Sequence, residues 1–387
     1  MDRVIGFILI LIILVIMLPA CAKEIPNKPT SINSPVPTLT NSLLNTTESS
    51  ATLIPTSPTQ TQTNPTDTLP TLLPTPDMVT LVQITQLAGT TGPIYSIGWS
   101  PDGSVIASTG YGQVNLWNAS TYEKISTLEG HTSYVWSIAW SPDGSIIASG
   151  SQDHTVLIWN GATREVSVTI PTQFTFSVAW SPDGTQLASG TSQGIVHLWS
   201  PNTGERLKDL VNSNISEIIS LAWSPDGKTL VAGYLNGDIA LWSPSSGSRL
   251  DTINDYTYAR CDVNGLSWSP DGRILASTHQ DGHIRLWDAS TKEMVFDLRG
   301  SDGWARGIAW SPDGRFLATG GSDAIVRIWD ATNGTQVANM KVGNQPLWSV
   351  AWSPNGSLLA VGSGEYNSSN IGGVIYILAC PSLFAIP

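Results

Sequence analysis

Three residue types that can perform nucleophilic catalysis occur close together in this sequence. His131, Ser149 and Asp153 could act as base, nucleophile and orienting acid, and Trp159 follows shortly after them. A catalytic triad also requires an exposed serine and an oxyanion hole. The role of these residues therefore depends on the elements that hold them.

A second group has side chains that can bind a metal ion. His279, Asp281 and His283 stand at alternate positions of the segment HQDGH, around a tight turn. A zinc site usually needs ligands from a second segment as well, and the sequence indicates none. The chain also contains no acidic loop of EF-hand form. We expect no metal site and no cofactor.

Paired carboxylates are the third possibility. Glycoside hydrolysis requires two of them on one face, about 5 to 9.5 Å apart. Glu217 and Asp262 are the candidates, but nothing in the sequence gives either a reason for a raised pKa. We predict that the protein is not an enzyme.

All these residues lie in a repeated sequence. The stretch AWSPDGSIIASGS, residues 139–151, has counterparts at six other places, spaced 40 to 45 residues apart. Its Ser-Pro-Asp-Gly segment is typical of a hairpin turn, and the apolar residues on either side are typical of short strands. This period matches a four-stranded propeller blade. The tryptophans that anchor the seven repeats are Trp99, Trp140, Trp180, Trp223, Trp268, Trp310 and Trp352.

A second tryptophan ends the third predicted strand of six repeats, in patterns such as VLIW, and Asp288 and Asp330 follow it in repeats 5 and 6. Together with Gly-His, the Ser-Pro-Asp-Gly turn and a loop aspartate in the same order, this arrangement resembles the WD-repeat β-propeller family. The resemblance extends from about residue 79 to residue 380.

The resemblance implies a structural role for the first group of residues. In the family, a hydrogen-bond chain runs from a loop histidine to the tryptophan indole, and His131, Ser149, Asp153 and Trp159 match it position by position. Repeats 5 and 6 keep the Ser or Thr, the Asp and the Trp without this histidine. We expect their loops to be less rigid.

The seventh repeat lacks a suitable fourth strand. Ile377 replaces the expected tryptophan, and the residues after Cys380 begin and end with proline. The segment 79–87 precedes the first innermost strand and could supply the missing one. We therefore predict an all-β fold, a seven-bladed β-propeller of four-stranded antiparallel blades, closed by pairing 79–87 with 374–379 in the last blade.

This arrangement separates Cys261 from Cys380. Cys261 precedes the innermost strand of repeat 5 and Cys380 follows the third strand of repeat 7, so the two lie on opposite faces. A disulfide requires Cα atoms within about 7 Å. We predict two free thiols.

The predicted binding surface surrounds the central channel. Core positions lie five, two and zero residues before each anchoring tryptophan, a spacing that indicates a β-bulge. The bulge directs the residues four and six before the anchor toward one face, and seven of these fourteen are aromatic. Such a surface is typical of an interface, unless some of its side chains fill the channel instead. The predicted partner-binding residues are Tyr95, Tyr134, Trp136, Phe174, Phe176, Trp304, Arg306 and Trp348.

The N-terminal part of the chain has a different composition. An apolar run of 15 residues, 4–18, follows Arg3, and Leu-Pro-Ala-Cys at 18–21 resembles the lipobox of bacterial lipoproteins. An uncleaved N-terminal anchor is the alternative. The next residues are rich in Pro, Thr and Ser and contain no aromatic residue. We predict a lipoprotein signal peptide at 1–20, lipidation of Cys21, a lipid-anchored disordered linker at 21–77 and the propeller at 78–387.

Charge narrows the choice of partner. The net charge is −12 and there is no basic run, so nucleic acid is not an expected partner. The sequence predicts an extracytoplasmic, membrane-anchored, monomeric scaffold that binds a protein or peptide through its aromatic face. A carbohydrate-binding or glycan-processing propeller at the cell envelope is the alternative, and a purely structural role in an envelope assembly is a third possibility.

Overall fold

The computed structural model describes residues 79–212, 216–254, 261–366 and 372–381. The regular elements in these ranges are β-strands, which agrees with the predicted all-β class. No helix long and apolar enough to cross a membrane occurs within them. The predicted signal peptide, Cys21 and the linker lie outside the described residues.

Each repeat forms four antiparallel strands, and the innermost strand ends at the anchoring tryptophan. Lys124–Trp140 serves two repeats, because its first part is the outermost strand of repeat 1 and its second part is the innermost strand of repeat 2. From the innermost strand outward, the strands are Ile97–Trp99, Val105–Thr109, Tyr111–Asn118 and Lys124–Trp140 in repeat 1; Lys124–Trp140, Ile146–Ser151, Thr155–Asn160 and Val166–Pro171 in repeat 2; Thr175–Trp180, Leu187–Thr191, Ile195–Trp199 and Arg206–Val211 in repeat 3; Ile218–Trp223, Leu230–Tyr234, Asp238–Trp242 and Arg249–Asn254 in repeat 4; Val263–Trp268, Ile274–His279, His283–Asp288 and Met294–Arg299 in repeat 5; Ala305–Trp310, Phe316–Gly321, Ile325–Asp330 and Thr335–Lys341 in repeat 6; and Leu347–Trp352, Leu358–Ser363, Ile375–Ala379 and Val82–Leu87 in repeat 7.

The outermost strand of repeat 7 comes from the beginning of the described chain. Val82–Leu87 runs antiparallel to Ile375–Ala379, with a register shift between Gln83 and Thr85. Leu87 is only 4% exposed, whereas Ile84 on the same strand is 47% exposed. The strand therefore buries its end against the neighbouring sheets and leaves Ile84 open to solvent.

The Ser-Pro-Asp-Gly turns form as the residue types dictate. In repeat 2, Asp143 accepts a hydrogen bond from the backbone of Ser145 at 3.0 Å, and Ser141 Oγ accepts one from the backbone of Ile146 at 3.0 Å. Gly144 has a φ of 73°, a conformation that favours glycine. The turn thus fixes the hairpin between the first two strands of the repeat.

The hydrophobic core lies between successive repeats. Each of the seven core clusters among the described residues combines side chains of two neighbouring sheets. Six of the seven anchoring tryptophans add a polar link, because their indole N–H donates to a backbone carbonyl of a neighbouring repeat; the exception is Trp140, whose indole N–H is buried without a partner in the described part of the chain. Trp180, for example, donates to Ala139 at 3.1 Å, and Trp99 of repeat 1 donates to Ala351 of repeat 7 at 3.0 Å. A single repeat could not bury its own apolar faces.

The cysteine prediction is half correct. Cys380 is a free, buried thiol, so it forms no disulfide with Cys261. The prediction that Cys261 is also free is wrong, since this residue is disulfide-bonded. The separation of the two cysteines on opposite faces excludes only Cys380 as its partner.

Candidate functional site

The group that could have been a catalytic triad forms a continuous hydrogen-bond chain. Trp159 Nε1 donates to Ser149 Oγ at 2.8 Å, Ser149 Oγ lies 2.8 Å from His131 Nε2, and His131 Nδ1 lies 2.8 Å from Asp153 Oδ2. Ser149 is fully buried. Burial raises the pKa of Asp153, but hydrogen bonds from His131 and Thr155 outweigh this effect and hold it below its usual range. A buried serine inside such a chain is suited to a structural role.

We expect Ser149→Ala to lower the free energy of unfolding by about 3 kcal/mol, because it leaves both the Trp159 indole N–H and the Nε2 atom of His131 without a partner. Ser189→Ala is the matched control. Ser189 Oγ accepts a hydrogen bond from Trp199 Nε1 at 2.8 Å but has no histidine partner among the residues described. This substitution should cost about 1.5 kcal/mol. Urea unfolding measured by tryptophan fluorescence compares them. Equal losses would contradict the idea that the histidine link stabilises repeat 2.

The candidate metal ligands have separate partners. His279 Nε2 lies 2.8 Å from Ser277 Oγ, Asp281 accepts a 2.6 Å bond from Arg285, and His283 Nδ1 lies 2.7 Å from an oxygen of Asp297. No cluster of three potential ligands exists among the residues that the structure describes. The interaction of His279 also corrects the expectation that repeat 5 lacks a histidine in its network, because this histidine reaches the serine from within its own strand.

The predicted β-bulge is present in the innermost strands of repeats 2 to 7. The residue four positions before each anchoring tryptophan has no partner in the strand ladder; in repeat 2, Val135 pairs with Ser151 and Ser137 with Gly150, which leaves Trp136 out. The same omission occurs at Phe176, Ile219, Asn264, Arg306 and Trp348. The bulge therefore selects one side chain from each of these strands.

These bulge residues surround one cavity of about 260 Å³. All seven residues that lie four positions before an anchor line it, whereas only Asp262 and Trp304 do so among those six positions before. The lining residues are Tyr95, Trp136, Phe176, Ile219, Leu235, Asp262, Asn264, Trp304, Arg306, Trp348 and Tyr366. The cavity is large enough to receive a side chain of a partner.

Aromatic packing determines which predicted residues can reach a partner. Tyr95 stacks on Trp136 with 4.1 Å between ring centroids, and Phe174 stacks on Phe176 with 4.2 Å. Tyr95, Phe174 and Phe176 are at most 9% exposed, which agrees with the alternative that some of these side chains fold inward. The partly exposed members of the predicted set are Tyr134, Trp136, Trp304, Arg306 and Trp348.

Sequence reasoning missed Leu235 and Tyr366. Tyr366 stacks on Trp348 at 5.7 Å and comes from the loop between the second and third strands of repeat 7. This loop has no counterpart in the repeat pattern, so no sequence signal indicated it. Leu235 could have been noticed, because it is apolar where other repeats have a polar residue. The position directly follows the second strand and is occupied by Gln152, Gln280 and Ser322 in repeats 2, 5 and 6.

The tryptophans fall into those that the repeat requires and those that line the cavity. Of the 16 tryptophans in the chain, seven anchor the innermost strands and six end the third strands. Three remain, and Trp136, Trp304 and Trp348 all line the cavity. The repeat does not require a tryptophan at these places.

Two carboxyl groups near the cavity have raised pKa values. Burial raises the pKa of Asp262 to about 7, with a further contribution from the charge of Glu217. Burial also raises the pKa of Glu217, whose Oε2 atom is buried without a hydrogen-bond partner. The expectation that neither carboxyl has a reason for a raised pKa is therefore wrong, since only the tertiary structure shows that both are withdrawn from water.

The raised pKa of Asp262 predicts a pH dependence of stability. Between about pH 4 and pH 7 the folded protein keeps a proton that the unfolded chain releases, so the free energy of unfolding should fall as the pH rises through this window. Asp262→Asn should make this slope shallower, leaving the contribution of Glu217, and be more stable than the wild type at pH 8 by about 2 kcal/mol. Urea unfolding at pH 5 and pH 8 measures it. Asp302→Asn, at an exposed position, is the control, and an unchanged slope in Asp262→Asn would contradict the prediction.

Successive four-stranded sheets packed through shared cores, with bulge residues around a central cavity, define a β-propeller. Residues 93–369 match the model of the IFT122 first beta-propeller family, and the chain belongs to this family. The match supports the predicted WD-repeat-like propeller. No curated protein matches the sequence. Propeller domains are in general scaffolds for protein interaction.

Proposed function

We propose that this protein binds a protein or peptide partner at the cavity face of the propeller and is not an enzyme. The observation that carries the proposal is the position of Trp136, Trp304 and Trp348. These three tryptophans are not required by the repeat, all line one cavity and remain partly exposed. Large aromatic side chains around a pocket supply most of the binding energy in many interfaces.

The face assignment depends on a ring of seven blades, which is also part of this proposal. Three contacts between the first and the last part of the described chain support it. Val82–Leu87 pairs with Ile375–Ala379, Trp99 bonds to Ala351, and a Cβ at Gly103 would lie 3.6 Å from Pro354. Equivalent contacts join successive repeats, such as Gly144 with Pro101 at 3.4 Å.

The location of the protein is proposed from the N-terminal sequence alone. The apolar run and the Leu-Pro-Ala-Cys segment support lipidation of Cys21 outside the cytoplasmic membrane, with residues 22–77 as a tether for a monomeric propeller. Lipidation uses the Cys21 thiol, so the proposal also requires that Cys21 is not the disulfide partner of Cys261. Metabolic labelling with a palmitate analogue should label the wild type and not Cys21→Ser. Labelling of both proteins would exclude Cys21 as the lipidated residue.

Site-specific cross-linking in the intact cell tests the binding face. A photo-reactive phenylalanine analogue replaces Tyr134, beside the cavity, in one strain and Lys228 in another. Lys228 directly follows the Ser-Pro-Asp-Gly segment of repeat 4, beyond the opposite end of an innermost strand, and its side chain is 83% exposed. We expect a cross-linked protein from position 134 only. Identical cross-links from both positions would contradict the assignment.

A second candidate function, glycan binding or processing, has one observation in its favour. The carboxyl pair Glu217 and Asp262 has raised pKa values, which a general acid in a glycosidase requires. A glycan array and a hydrolase screen on the full protein would test this, with Asp262→Asn as the inactive variant. Absence of both binding and hydrolysis would leave protein recognition as the function.

A further inference from the structure

Arg306 is a cation without a counter-ion in the described part of the molecule. Its guanidinium carbon lies 3.5 Å from the ring centroid of Trp348 and 4.5 Å from that of Trp304. None of the described carboxylates lies within ion-pair distance of it, and its Nε atom is buried without a hydrogen-bond partner. Stacking on two indoles stabilises the charge only in part, because a cation that is partly withdrawn from water usually also needs an anion.

The carboxyl group that lines the cavity forms no ion pair with Arg306. Asp262 is the one carboxyl group that lines the cavity, and burial raises its pKa to about 7. Burial lowers the pKa of Arg306 to about 9, so the guanidinium remains charged at neutral pH. The positive charge therefore faces a cavity with mostly apolar walls.

The cavity also contains a second donor that lacks an acceptor. The indole N–H of Trp136 is buried and has no hydrogen-bond partner, whereas that of Trp348 is satisfied by the carbonyl of Gly364 at 2.8 Å. The amide of Asn264 already donates to Ala305 at 2.8 Å. Two donors of cavity-lining residues, one of them charged, thus lack acceptors among the described residues, and a ligand with acceptor oxygens would supply the anion that the guanidinium lacks.

We propose that the central cavity binds a carboxylate of a peptide partner, with Arg306 as its ionic anchor. This inference rests on the proposed function, which it makes specific. The carboxylate belongs either to a C-terminus or to an acidic side chain, since both present the same planar pair of oxygens to a guanidinium. The aromatic walls formed by Trp136 and Trp348 would contact the apolar part of the same residue.

A matched pair of small probes tests this in the full-length protein. 3-Phenylpropionate carries a carboxylate on an aromatic group, and 3-phenylpropionamide is its neutral counterpart. Titration followed by tryptophan fluorescence and calorimetry should show that the carboxylate binds about 10- to 100-fold more tightly than the amide. Equal affinities, or binding of neither probe, would overturn the proposal.

Three variants locate the anchor. Arg306→Gln should remove the preference for the carboxylate, Arg306→Lys should keep part of it, and Arg273→Gln, at a side chain that is 84% exposed, should keep all of it. An undiminished preference in a folded Arg306→Gln protein would overturn the role of Arg306. If that variant does not fold, the comparison of the two probes in the wild type and in Arg306→Lys still decides the question.

Peptides then identify the source of the carboxylate. Peptides from the cross-linked partner are compared with a free or amidated C-terminus, and with acidic residues or their amides. If Trp136→Ala/Trp348→Ala abolishes partner binding and Arg306→Gln does not, the proposed function stands and the carboxylate inference fails. If the carboxylate probe binds but neither variant affects the partner, the proposed function fails instead. Preference for a carboxylated sugar over every peptide would also overturn the proposal.

Discussion

Replacement of both Trp136 and Trp348 by alanine is expected to weaken partner binding by about 100-fold or more. Each indole lines the cavity and is partly exposed, and full burial of such a side chain contributes about 1.5–3 kcal/mol. Neither residue belongs to the core clusters between the sheets, so the fold should be retained. The affinity of the purified double variant for the cross-linked partner measures the effect.

The control for this experiment removes apolar surface of the propeller elsewhere. Leu207 and Leu250 lie on the outermost strands of repeats 3 and 4 and are 51% and 55% exposed. Leu207→Ala/Leu250→Ala should bind the partner like the wild type. A folded Trp136→Ala/Trp348→Ala protein with unchanged affinity would show that the partner does not use the cavity face.

Substitution of Leu87 by aspartate is expected to lower the free energy of unfolding by more than about 4 kcal/mol. Leu87 is 4% exposed and packs with Ile94, Ile97 and Ile375, so the new carboxylate would be buried without a cation. The effect is large because this strand joins the first and last repeats. Urea unfolding followed by tryptophan fluorescence would measure the loss.

Ile84→Asp is the matched control, because Ile84 lies on the same strand and is 47% exposed. We expect its effect to stay within about 0.5 kcal/mol of the wild type. If Leu87→Asp is tolerated equally well, Val82–Leu87 does not contribute to the core, and the proposed closure of the ring is wrong. Loss of stability in both variants to the same degree would point to the charge itself rather than to burial.

Much of the site geometry could be predicted because it depends on local patterns. The spacing of apolar residues before each anchor indicated the bulge, and the bulge residues are the ones that line the cavity. The segment 79–87 could be assigned to the last sheet because repeat 7 lacked a strand. The hydrogen-bond chain from His131 to Trp159 followed from the family resemblance at matching positions.

Other features of the site could not be predicted, because they depend on the relative positions of side chains from different repeats. Tyr366 reaches Trp348 from an irregular loop, and His279 takes the place of a loop histidine from within a strand. Glu217 raises the pKa of Asp262 although the two residues belong to successive repeats. No pattern within one repeat contains such relations.

The sequence by itself determined the repeat length, the turns, the strands and the bulges, because turn chemistry and side-chain alternation act over a few neighbouring residues. Only the tertiary structure decided which of the aromatic residues are buried, which carboxyl groups lose water, and that Arg306 lies against Trp304 and Trp348 without an anion. Burial and charge at the cavity depend on how several sheets meet around it. The sequence of a single repeat does not encode the distances between side chains of different repeats.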